Sequence, residues 1–510
     1  MVNTMITSDI NDLNPAALGL PGESEIAAWA LEYFPEFREG EKYAEVYAPA
    51  ASSGTYAKSY TAYAPSVVSH DEGTNAFVSV PASDGQFARP SSFAGGRSVE
   101  AIRADFPILS QKIDGKELVW LDNGATTQKP RQVIDRISYF YENENSNVHR
   151  GAHALAARAT DAYEAARQKT AAFLGAPSPE NIVFVRGTTE AINLAANACV
   201  KPLLNPGDEI ILTLLEHHAN IVPWQLIAEQ TGALIRVVPV DDSGQLIMSE
   251  YEKLFNAGTK FVSATHVSNA LGTVTPVYEL VQIAHSHGVR ILIDGAQSVS
   301  HIPVNVTSLD ADFYVFSGHK IFAPTGIGAL YGKTDALLQA VPYQGGGNMI
   351  KDVTFERTVY NPPPLKFEAG TGNIADAVGL GAALDYVGSV GLENIYSYEH
   401  ELLEYATREL KKIRGLRLIG TAAQKASVMS FVIDGHSVAD IGKYLSSRGI
   451  AVRAGHHCAQ PILRRFGLEA TVRPTLALYN NYDDVDALVR ALSELTRSGV
   501  KYGTTGFGGY

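Results

Sequence analysis

The chain has 510 residues, of which 45% are hydrophobic and 19% are charged, and its formal net charge is −13 at pH 7. This length predicts two or three domains. The negative charge argues against a surface that binds nucleic acid or anionic membranes, and the sequence holds no apolar run of about 18 residues that would span a bilayer.

The two cysteines, Cys199 and Cys458, lie far apart in the sequence. So few cysteines argue against a disulfide framework and favour a reducing cytoplasm. The first residues lack the basic segment and the apolar segment of a secretion signal. We therefore expect a soluble cytoplasmic protein. Cys199 lies in an alanine-rich run, which predicts a buried packing role for its side chain.

The first 97 residues differ in composition from the rest of the chain. They are rich in Ala, Ser, Gly, Pro and Tyr and poor in aliphatic residues. Most of this extension is predicted to be disordered, because it cannot bury enough apolar surface to offset its ordering entropy. Residues 24–37 are the exception, since Ile26, Trp29 and Tyr33 recur at helical spacing. Such an amphipathic helix either packs on its own chain or inserts its aromatic face into a partner's groove.

From Val99 onward, helical and strand patterns alternate, which predicts an α/β fold. Residues 139–150 are polar and rich in asparagine, which predicts a loop. The other predicted elements, in chain order, are a helix from Val99, a strand near Val119, a helix at 155–174 ended by Gly175, strands at 182–185, 209–215 and 261–266, a helix at 277–287, strands at 289–293, 313–316 and 326–332, a helix at 391–413, strands at 428–433 and 450–453, and a helix at 482–498.

Two turns that follow predicted strands carry groups suited to a ligand. The turn Gly187-Thr188-Thr189 opens a helix and offers free backbone N–H groups, hydroxyls and the positive end of a helix dipole, which together suit a phosphate. A simple helix cap is the alternative. After the strand at 209–215, His217 supplies a ring that can stack on a flat heteroaromatic ligand or move protons near neutral pH. A structural role is expected for His218.

The stretch 291–320 is the most informative part of the sequence. One apolar run ends in Asp294-Gly-Ala-Gln297, and the next ends in Ser317-Gly-His319-Lys320. Because ligands of an open α/β sheet bind at the carboxyl ends of its strands, these polar side chains are expected to share one crevice. They supply an amine, a carboxylate and several hydrogen-bond donors, which is the set that pyridoxal 5'-phosphate (PLP) requires.

The segment RAGHHCAQP, at 453–461, carries the second cysteine. A cysteine thiolate that attacks sulfur needs access and nearby positive charge, and Arg453, His456 and His457 supply donors around Cys458. A buried, inert cysteine in a structural turn is the alternative. The histidine pairs at 217–218 and 456–457 could indicate a zinc site. No Cys/His set with metal-ligand spacing accompanies them, so no metal site is expected.

These motifs, in this order, resemble those of the class V aminotransferase family of fold-type I PLP enzymes, and RAGHHCAQP is similar to the signature of its group II, Suf-type cysteine desulfurases. The resemblance spans residues 99–498. It implies a large domain with a mostly parallel seven-stranded sheet, within 98–360, and a smaller C-terminal α/β domain that carries the cysteine, within 361–510. Residues 1–97 resemble the extension of cysteine desulfurases that are cargo of family 2 encapsulin shells.

The resemblance also implies a role for each site residue. Lys320 is the lysine that binds PLP covalently, Asp294 pairs with the pyridinium nitrogen, and Cys458 receives the sulfur. Lys320 or His217 removes the substrate α-proton. The other cofactor-binding residues that it implies are Thr188, Thr189, His217, Asn269, Gln297, Ser317, His319 and, across a dimer interface, Thr371. The substrate-binding residues that it implies are His149, Asn269, Arg453 and Arg473, the last for the α-carboxylate.

The activity that the resemblance implies is conversion of L-cysteine to L-alanine with a persulfide left on Cys458. The sulfur would serve iron–sulfur cluster assembly or sulfur storage. The expected partners are a second copy of the chain, a Suf-type sulfur acceptor and an encapsulin shell that binds residues 1–97 and encloses the enzyme. Selenocysteine lyase, another class V aminotransferase-type enzyme and a non-catalytic regulator remain the alternatives.

Overall fold

The computed structural model describes Phe93, residues 96–148 and residues 153–498 of the chain. The helix predicted at 24–37 and the rest of the extension before Phe93 lie outside the described residues, as do His149 and Arg150. Within the described ranges, no helix combines the length and the apolarity that crossing a membrane requires.

Strands and helices alternate along most of the described chain. The strands are β1 (Lys112–Ile113), β2 (Lys116–Glu117), β3 (Val119–Trp120), β4 (Ile182–Val185), β5 (Glu209–Thr213), β6 (Leu234–Val238), β7 (Thr259–Thr265), β8 (Arg290–Asp294), β9 (Phe313–Ser317), β10 (Gly328–Gly332), β11 (Ile350–Val353), β12 (Thr358–Tyr360), β13 (Leu416–Ile419), β14 (Ser430–Ile433), β15 (Ile450–Ala451), β16 (Arg453–Gly455) and β17 (Thr471–Arg473). The α-helices are α1 (Val99–Ala104), α2 (Arg131–Asn143), α3 (Ala154–Leu174), α4 (Thr188–Leu194), α5 (Val222–Thr231), α6 (Met248–Lys253), α7 (Val277–Ser286), α8 (Val306–Leu309), α9 (Thr334–Gln339), α10 (Ile374–Val390), α11 (Leu392–Leu410), α12 (Val438–Ser446), α13 (Gln460–Arg465) and α14 (Tyr482–Ser498).

The largest sheet has seven strands in the order β4-β10-β9-β8-β7-β5-β6. Strand β10 runs antiparallel to β4 and β9, and the neighbouring pairs from β9 to β6 are parallel. Strands β4, β5, β9 and β10 are buried along their whole length, as expected for strands covered on both faces. The carboxyl ends of the parallel strands therefore share one edge of the sheet, where Asp294 ends β8 and Ser317 ends β9.

The C-terminal part of the chain forms a four-stranded antiparallel sheet in the order β13-β14-β17-β16. Strand β15, just before β16, pairs in parallel with β3 instead. The prediction of a single strand at 450–453 is therefore wrong. Two short strands replace it, because the chain pairs with β3 up to Ala451 and with β17 from Arg453 onward. The domain boundary at residue 360 stays a prediction.

Helix α10 packs against helices α2 and α3. Its sequence, IADAVGLGAALDYVGSV, is apolar on nearly all sides, and a helix of that kind has to be buried. Glycines let its neighbours approach closely. A Cβ on Gly381 would lie 3.2 Å from the Cβ of Ala166, and a Cβ on Gly379 would lie 2.8 Å from Pro324 Cγ.

Helix α2 contradicts the loop predicted at 139–150, since the helix continues to Asn143. Phe140 is 1% exposed and packs in the main core. This burial stabilises helical structure in a segment whose polar, asparagine-rich composition favours a loop, because packing overrides weak local propensity. Other predictions are confirmed. Strand β4 and helix α14 have the predicted bounds, and α3 ends at Gly175, whose φ is 66°.

A buried ion pair joins α3 to the segment before α10. Arg167 Nη1 donates to Glu368 Oε1 at 2.6 Å, and Nη2 donates to Oε2 at 2.9 Å. The two side chains are 2% and 6% exposed. Replacing Glu368 by Ala is expected to lower the free energy of unfolding by about 3 kcal/mol or more, because the guanidinium would remain buried without its main partner. Urea denaturation followed by circular dichroism measures the change.

Glu164→Ala is the matched control for this pair. Glu164 Oε2 accepts a hydrogen bond from Nε of the same arginine at 3.0 Å, but the Glu164 side chain is 40% exposed. Its removal is expected to lower the free energy of unfolding by less than about 1 kcal/mol, since exposed ion pairs contribute little to stability. Equal destabilisation by the two substitutions would show that burial does not determine the contribution of this ion pair.

Candidate active site

A cavity of about 280 Å³ opens at the carboxyl ends of the parallel strands. Its walls come from the turns after β4, β5, β7, β8 and β9, and from the loop after β16 and strand β17 of the small sheet. The predicted motifs therefore converge, as the strand-end rule anticipates. The predicted site residues that line the cavity are Thr188, Thr189, His217, Asn269, Asp294, Gln297, Ser317, His319, Lys320, Arg453, Cys458 and Arg473.

Two predicted site residues are not among these lining residues. Thr371 lines a different cavity together with Tyr163 and Arg186, and its Oγ1 accepts a hydrogen bond from Asn147 Nδ2 at 3.2 Å. His149 lies outside the described residues. A single chain therefore does not bring the Thr371 hydroxyl into the cavity of Lys320.

Lys320 lies in a short 3₁₀ turn, Gly318–Lys320, directly after β9. The carbonyl of His319 accepts hydrogen bonds from the Thr127 N–H and the Thr126 hydroxyl, both at 3.0 Å, and these bonds hold the turn in place. Burial lowers the pKa of Lys320 to about 8, although the Asp294 carboxylate opposes this shift. More of the amine is therefore uncharged at neutral pH than in a surface lysine, as a nucleophile or base requires.

Asp294 is the buried carboxylate of the cavity, with 4% exposure. Its Oδ1 accepts a hydrogen bond from the Ala296 N–H at 2.9 Å. Burial raises the pKa of Asp294, and this hydrogen bond and the Lys320 charge oppose the shift. A carboxylate that has lost its hydration favours a cationic N–H group beside it, because such a partner restores the stabilisation of the charged form.

Ser317 and Thr188 join the end of β9 to the start of α4. The Thr188 N–H donates to Ser317 Oγ at 2.8 Å, and the two hydroxyl oxygens are 2.9 Å apart. Gly187, whose φ is 155°, permits this contact, since a Cβ there would lie 3.1 Å from Ser317 Oγ. Burial, and then the Lys320 charge, lower the pKa of His319 to about 4. This neutral ring and the two hydroxyls offer donors suited to a phosphate.

His217 carries a neutral ring. Burial, and then the Lys320 charge, lower its pKa to about 3. Its Nδ1 accepts a hydrogen bond from the Ala219 N–H at 3.0 Å, so the proton of the neutral ring lies on Nε2. A ring in this tautomer has no free lone pair that could take a proton. It is therefore suited to stacking or to donation, and poorly suited to act as a base.

The loop that carries Cys458 is held at three consecutive residues. His456 Nδ1 accepts a hydrogen bond from the Cys458 N–H at 3.0 Å. The His457 carbonyl accepts one from Asn269 Nδ2, and the Cys458 carbonyl accepts one from the His218 N–H, both at 2.7 Å. His457 and Cys458 each have a φ of 54°, a left-handed conformation that non-glycine residues keep only where the surroundings impose it. The half-buried thiol therefore has a fixed place beside the cavity.

Arg473 ends β17 and is 2% exposed. Its Nη1 donates to the Asn269 carbonyl at 2.9 Å, and its Nη2 donates to Asp122 Oδ1 at 3.3 Å. Among the described residues, none pairs with its Nε. A buried guanidinium with an unpaired N–H calls for another acceptor, and the carboxylate of a bound ligand is the acceptor that it binds most strongly.

Some residues of the cavity were not assigned to it from the sequence. They include Gly124, whose carbonyl accepts a hydrogen bond from Gln297 Nε2 at 2.7 Å. A Cβ on Gly124 would lie 2.9 Å from Arg473 Nη2, and the turn DNG after a strand is the sequence signal for such an approach. The structure also brings ligand atoms of His218, His456 and Cys458 within 4.8 Å of one another. The spacing of these residues along the sequence does not predict this cluster.

A family model for class V aminotransferases matches residues 119–488 of the chain. The chain belongs to the class V aminotransferase family. Its mostly parallel seven-stranded sheet and its C-terminal antiparallel sheet form the fold-type I architecture expected of this family. The cavity at the strand ends is therefore the position where enzymes of this family are expected to hold their reactive groups.

Within the class V aminotransferase family, the chain is similar to cysteine desulfurases. It is 63% identical over 405 residues to a probable cysteine desulfurase of Mycolicibacterium paratuberculosis, and the match covers 79% of the chain and 59% of that protein. It is 47% identical over 400 residues to a cysteine desulfurase of Dickeya dadantii, and this match covers 78% of the chain and 97% of that protein. The chain spans 59% to 66% of the length of three of its relatives.

Solved structures of this family share the fold. The crystal structure of a cysteine desulfurase from Escherichia coli superposes with a TM-score of 0.74 at 39% sequence identity. The superposition covers 79% of the chain and 100% of that structure.

Proposed function

We propose that the chain is a PLP-dependent cysteine desulfurase that converts L-cysteine to L-alanine and leaves the sulfur as a persulfide on Cys458. The observation that carries this proposal is the convergence of the Lys320 amine, the buried Asp294 carboxylate and the Cys458 thiol on one cavity. A class V enzyme that only transfers amino groups has no use for a thiol at this position.

The residues of the cavity fit PLP. Asp294 is a buried carboxylate whose raised pKa favours a cationic N–H partner, and the pyridinium nitrogen supplies one. Lys320 would hold the cofactor covalently, and the His217 ring would stack on it. When bound, PLP supplies an electron-withdrawing ring that acidifies the substrate α-carbon. The other residues that would hold it are Thr188, Thr189, Asn269, Gln297, Ser317 and His319.

We assign removal of the α-proton to Lys320, not to His217. The depressed pKa of Lys320, about 8, suits a base near neutral pH. By contrast, His217 Nδ1 is occupied by the Ala219 N–H, and its ring has a pKa of about 3. The neutral Nε2–H of His217 would serve as a donor beside the substrate.

Cys458 is the proposed acceptor of sulfur. Its thiolate attacks the sulfur of the bound cysteine and forms an S–S bond, while the bond between that sulfur and the substrate β-carbon breaks. The electron pair stays with the β-carbon, which then takes a proton and yields the methyl group of alanine. The hydrogen bonds that anchor the Cys458 loop hold the thiol beside the cavity, so the proposed attack does not require a large movement of the loop.

The test is a turnover experiment with the PLP-loaded protein and L-cysteine. We expect equal amounts of alanine and transferred sulfur, and a Cys458 peptide heavier by the mass of one sulfur atom. Formation of pyruvate without a modified Cys458 peptide would contradict the proposal. A parallel experiment with L-selenocysteine separates the reaction from selenocysteine lyase activity, which predicts a higher kcat/KM for the selenium substrate.

A substitution of Arg473 by Lys tests substrate binding. We expect KM for L-cysteine to rise about 30-fold, with a smaller change in kcat, because an ammonium group cannot replace two guanidinium donors. Steady-state kinetics measure both values. Arg453 also lines the cavity but is exposed, so Arg453→Lys is the comparison and is expected to change KM less than about fivefold. An unchanged KM in Arg473→Lys would exclude the guanidinium as the carboxylate ligand.

The proposed enzyme is a homodimer of the group II, Suf-type class. The separate cavity of Thr371 supports a dimer in which this hydroxyl serves the phosphate of the other subunit. The short, well-anchored Cys458 loop supports the group II assignment.

Light scattering measures the mass of the protein in solution and tests the proposed dimer. Thr371→Ala is expected to weaken PLP binding without changing that mass, and an unchanged affinity for PLP would contradict the shared site.

We further propose a Suf-type sulfur acceptor in the cytoplasm and docking of residues 1–97 inside an encapsulin shell. The support for docking is the sequence pattern at 24–37. The experiment is affinity capture of the full chain and of a chain without residues 1–97, followed by mass spectrometry. We expect shell subunits only with the full chain, and the acceptor and the desulfurase activity with both. Capture of shell subunits by the shortened chain would contradict the docking role.

A further inference from the structure

Three potential metal ligands come together beside the cavity. His218 lies in the turn after β5, and His456 and Cys458 lie in the loop after β16. A nitrogen of each imidazole and the cysteine Sγ lie within 4.8 Å of one another, and the three residues are half-buried. The proposed desulfurase reaction uses His456 only to anchor the Cys458 loop and assigns no role to the His218 ring.

The imidazoles are oriented by backbone N–H groups of the same loop. His456 Nδ1 accepts a hydrogen bond from the Cys458 N–H at 3.0 Å, and His218 Nε2 accepts a weaker one from the Gln460 N–H at 3.4 Å. The two rings are stacked, with centroids 5.7 Å apart and an angle of 23° between their planes. In each neutral ring the lone pair lies on the accepting nitrogen and is engaged by a backbone N–H, so binding of a metal requires that hydrogen bond to be released.

We infer that His218, His456 and Cys458 form a binding site for one divalent cation of the zinc class. Two imidazoles and one thiolate are ligands that Zn²⁺ prefers, and a set without carboxylates disfavours Mg²⁺ and Ca²⁺. Tetrahedral zinc keeps such ligand atoms roughly 3.3–3.8 Å apart. Closure of the site requires the present separations, which are at most 4.8 Å, to shorten by about 1 Å through side-chain rotation.

Occupancy of this site blocks the thiol. On binding, the Cys458 S–H proton leaves to solvent and the sulfur lone pair forms the bond to the metal, without a change in oxidation state. A metal-bound sulfur is not free to attack a substrate. The inference therefore goes beyond the proposed function and describes a reversible, metal-dependent restraint on Cys458. It does not rest on the assigned reaction, since access to the thiol is measurable without turnover.

The test measures alkylation of the PLP-loaded full chain by iodoacetamide, with and without one equivalent of ZnCl₂. Peptide mass spectrometry follows Cys458, and the buried Cys199 is expected to stay unmodified in every sample. We expect Zn²⁺ to slow alkylation of Cys458 at least tenfold, EDTA to restore the rate, and MgCl₂ to have no effect. We also expect about one zinc per chain after dialysis. Unchanged alkylation of Cys458 with Zn²⁺ would overturn the inference.

Two conservative variants test the histidines. In His456→Asn and His218→Gln, the amide oxygen takes the position of the accepting ring nitrogen and keeps the hydrogen bond to the loop, but it is a poor ligand for zinc. Each variant is expected to need at least tenfold more Zn²⁺ for the same protection. His287→Asn, at an exposed position far along the chain from the cluster, is expected to behave as the wild type. Protection that is unaffected in both variants would mean that the histidines do not bind the metal.

Discussion

Lys320→Ala is expected to lower kcat for L-cysteine at least about a thousandfold and to remove the visible absorbance band of the lysine-bound cofactor. The reason is that Lys320 is the only lysine among the described residues that line the cavity. Its loss removes both the covalent attachment and the assigned base, and positioned bases alone contribute about 10²–10⁴-fold. Alanine formation and absorbance spectra measure the two effects.

Lys425→Met is the matched control for this prediction. Lys425 is another half-buried lysine whose pKa is lowered by burial to about 8. Its Nζ donates to the carbonyl of Leu271 at 2.6 Å, and the residue does not line the cavity. Its loss is expected to leave the absorbance band in place and to change kcat less than about fivefold. A Lys320→Ala protein that retains the band would place the cofactor on a different amine.

Cys458→Ser is expected to abolish sulfur transfer, with a loss of at least about a thousandfold, while the absorbance band remains. A serine hydroxyl is uncharged at neutral pH and a far weaker nucleophile toward sulfur than a thiolate, although it fills nearly the same space. Sulfide release in the presence of a reductant, together with the absorbance spectrum, separates loss of the nucleophile from loss of the cofactor.

Cys199→Ala provides the comparison, because these are the two cysteines of the chain. Burial raises the pKa of Cys199 to about 12, so it carries almost no thiolate at neutral pH, and its replacement is expected to change activity less than twofold. Sulfur release that persists in Cys458→Ser and disappears in Cys199→Ala would exchange the assigned roles of the two cysteines.

Local patterns predicted most of the large sheet and much of the cavity. Asp294, Ser317 and Lys320 follow apolar runs, and parallel strands place their carboxyl ends on one edge of the sheet. The proximity of these residues can therefore be predicted without knowing where the helices pack. The prediction failed at 139–150, where burial of Phe140 extends a helix into a polar segment. It failed again at 450–453, because the change of pairing partner depends on β3, which is more than 300 residues away along the chain.

By itself, the sequence determined the class of fold, the family motifs and the residue types available for chemistry, because hydrophobic periodicity and turn residues act over short distances along the chain. Only the tertiary structure decided how those groups are arranged. In it, the Ala219 N–H donates a hydrogen bond to His217, Thr371 lines a cavity separate from that of Lys320, and the ring of His218 stacks on that of His456. Contacts of this kind join residues from distant parts of the chain, and packing and backbone hydrogen bonds select them only after the strands and helices have assembled.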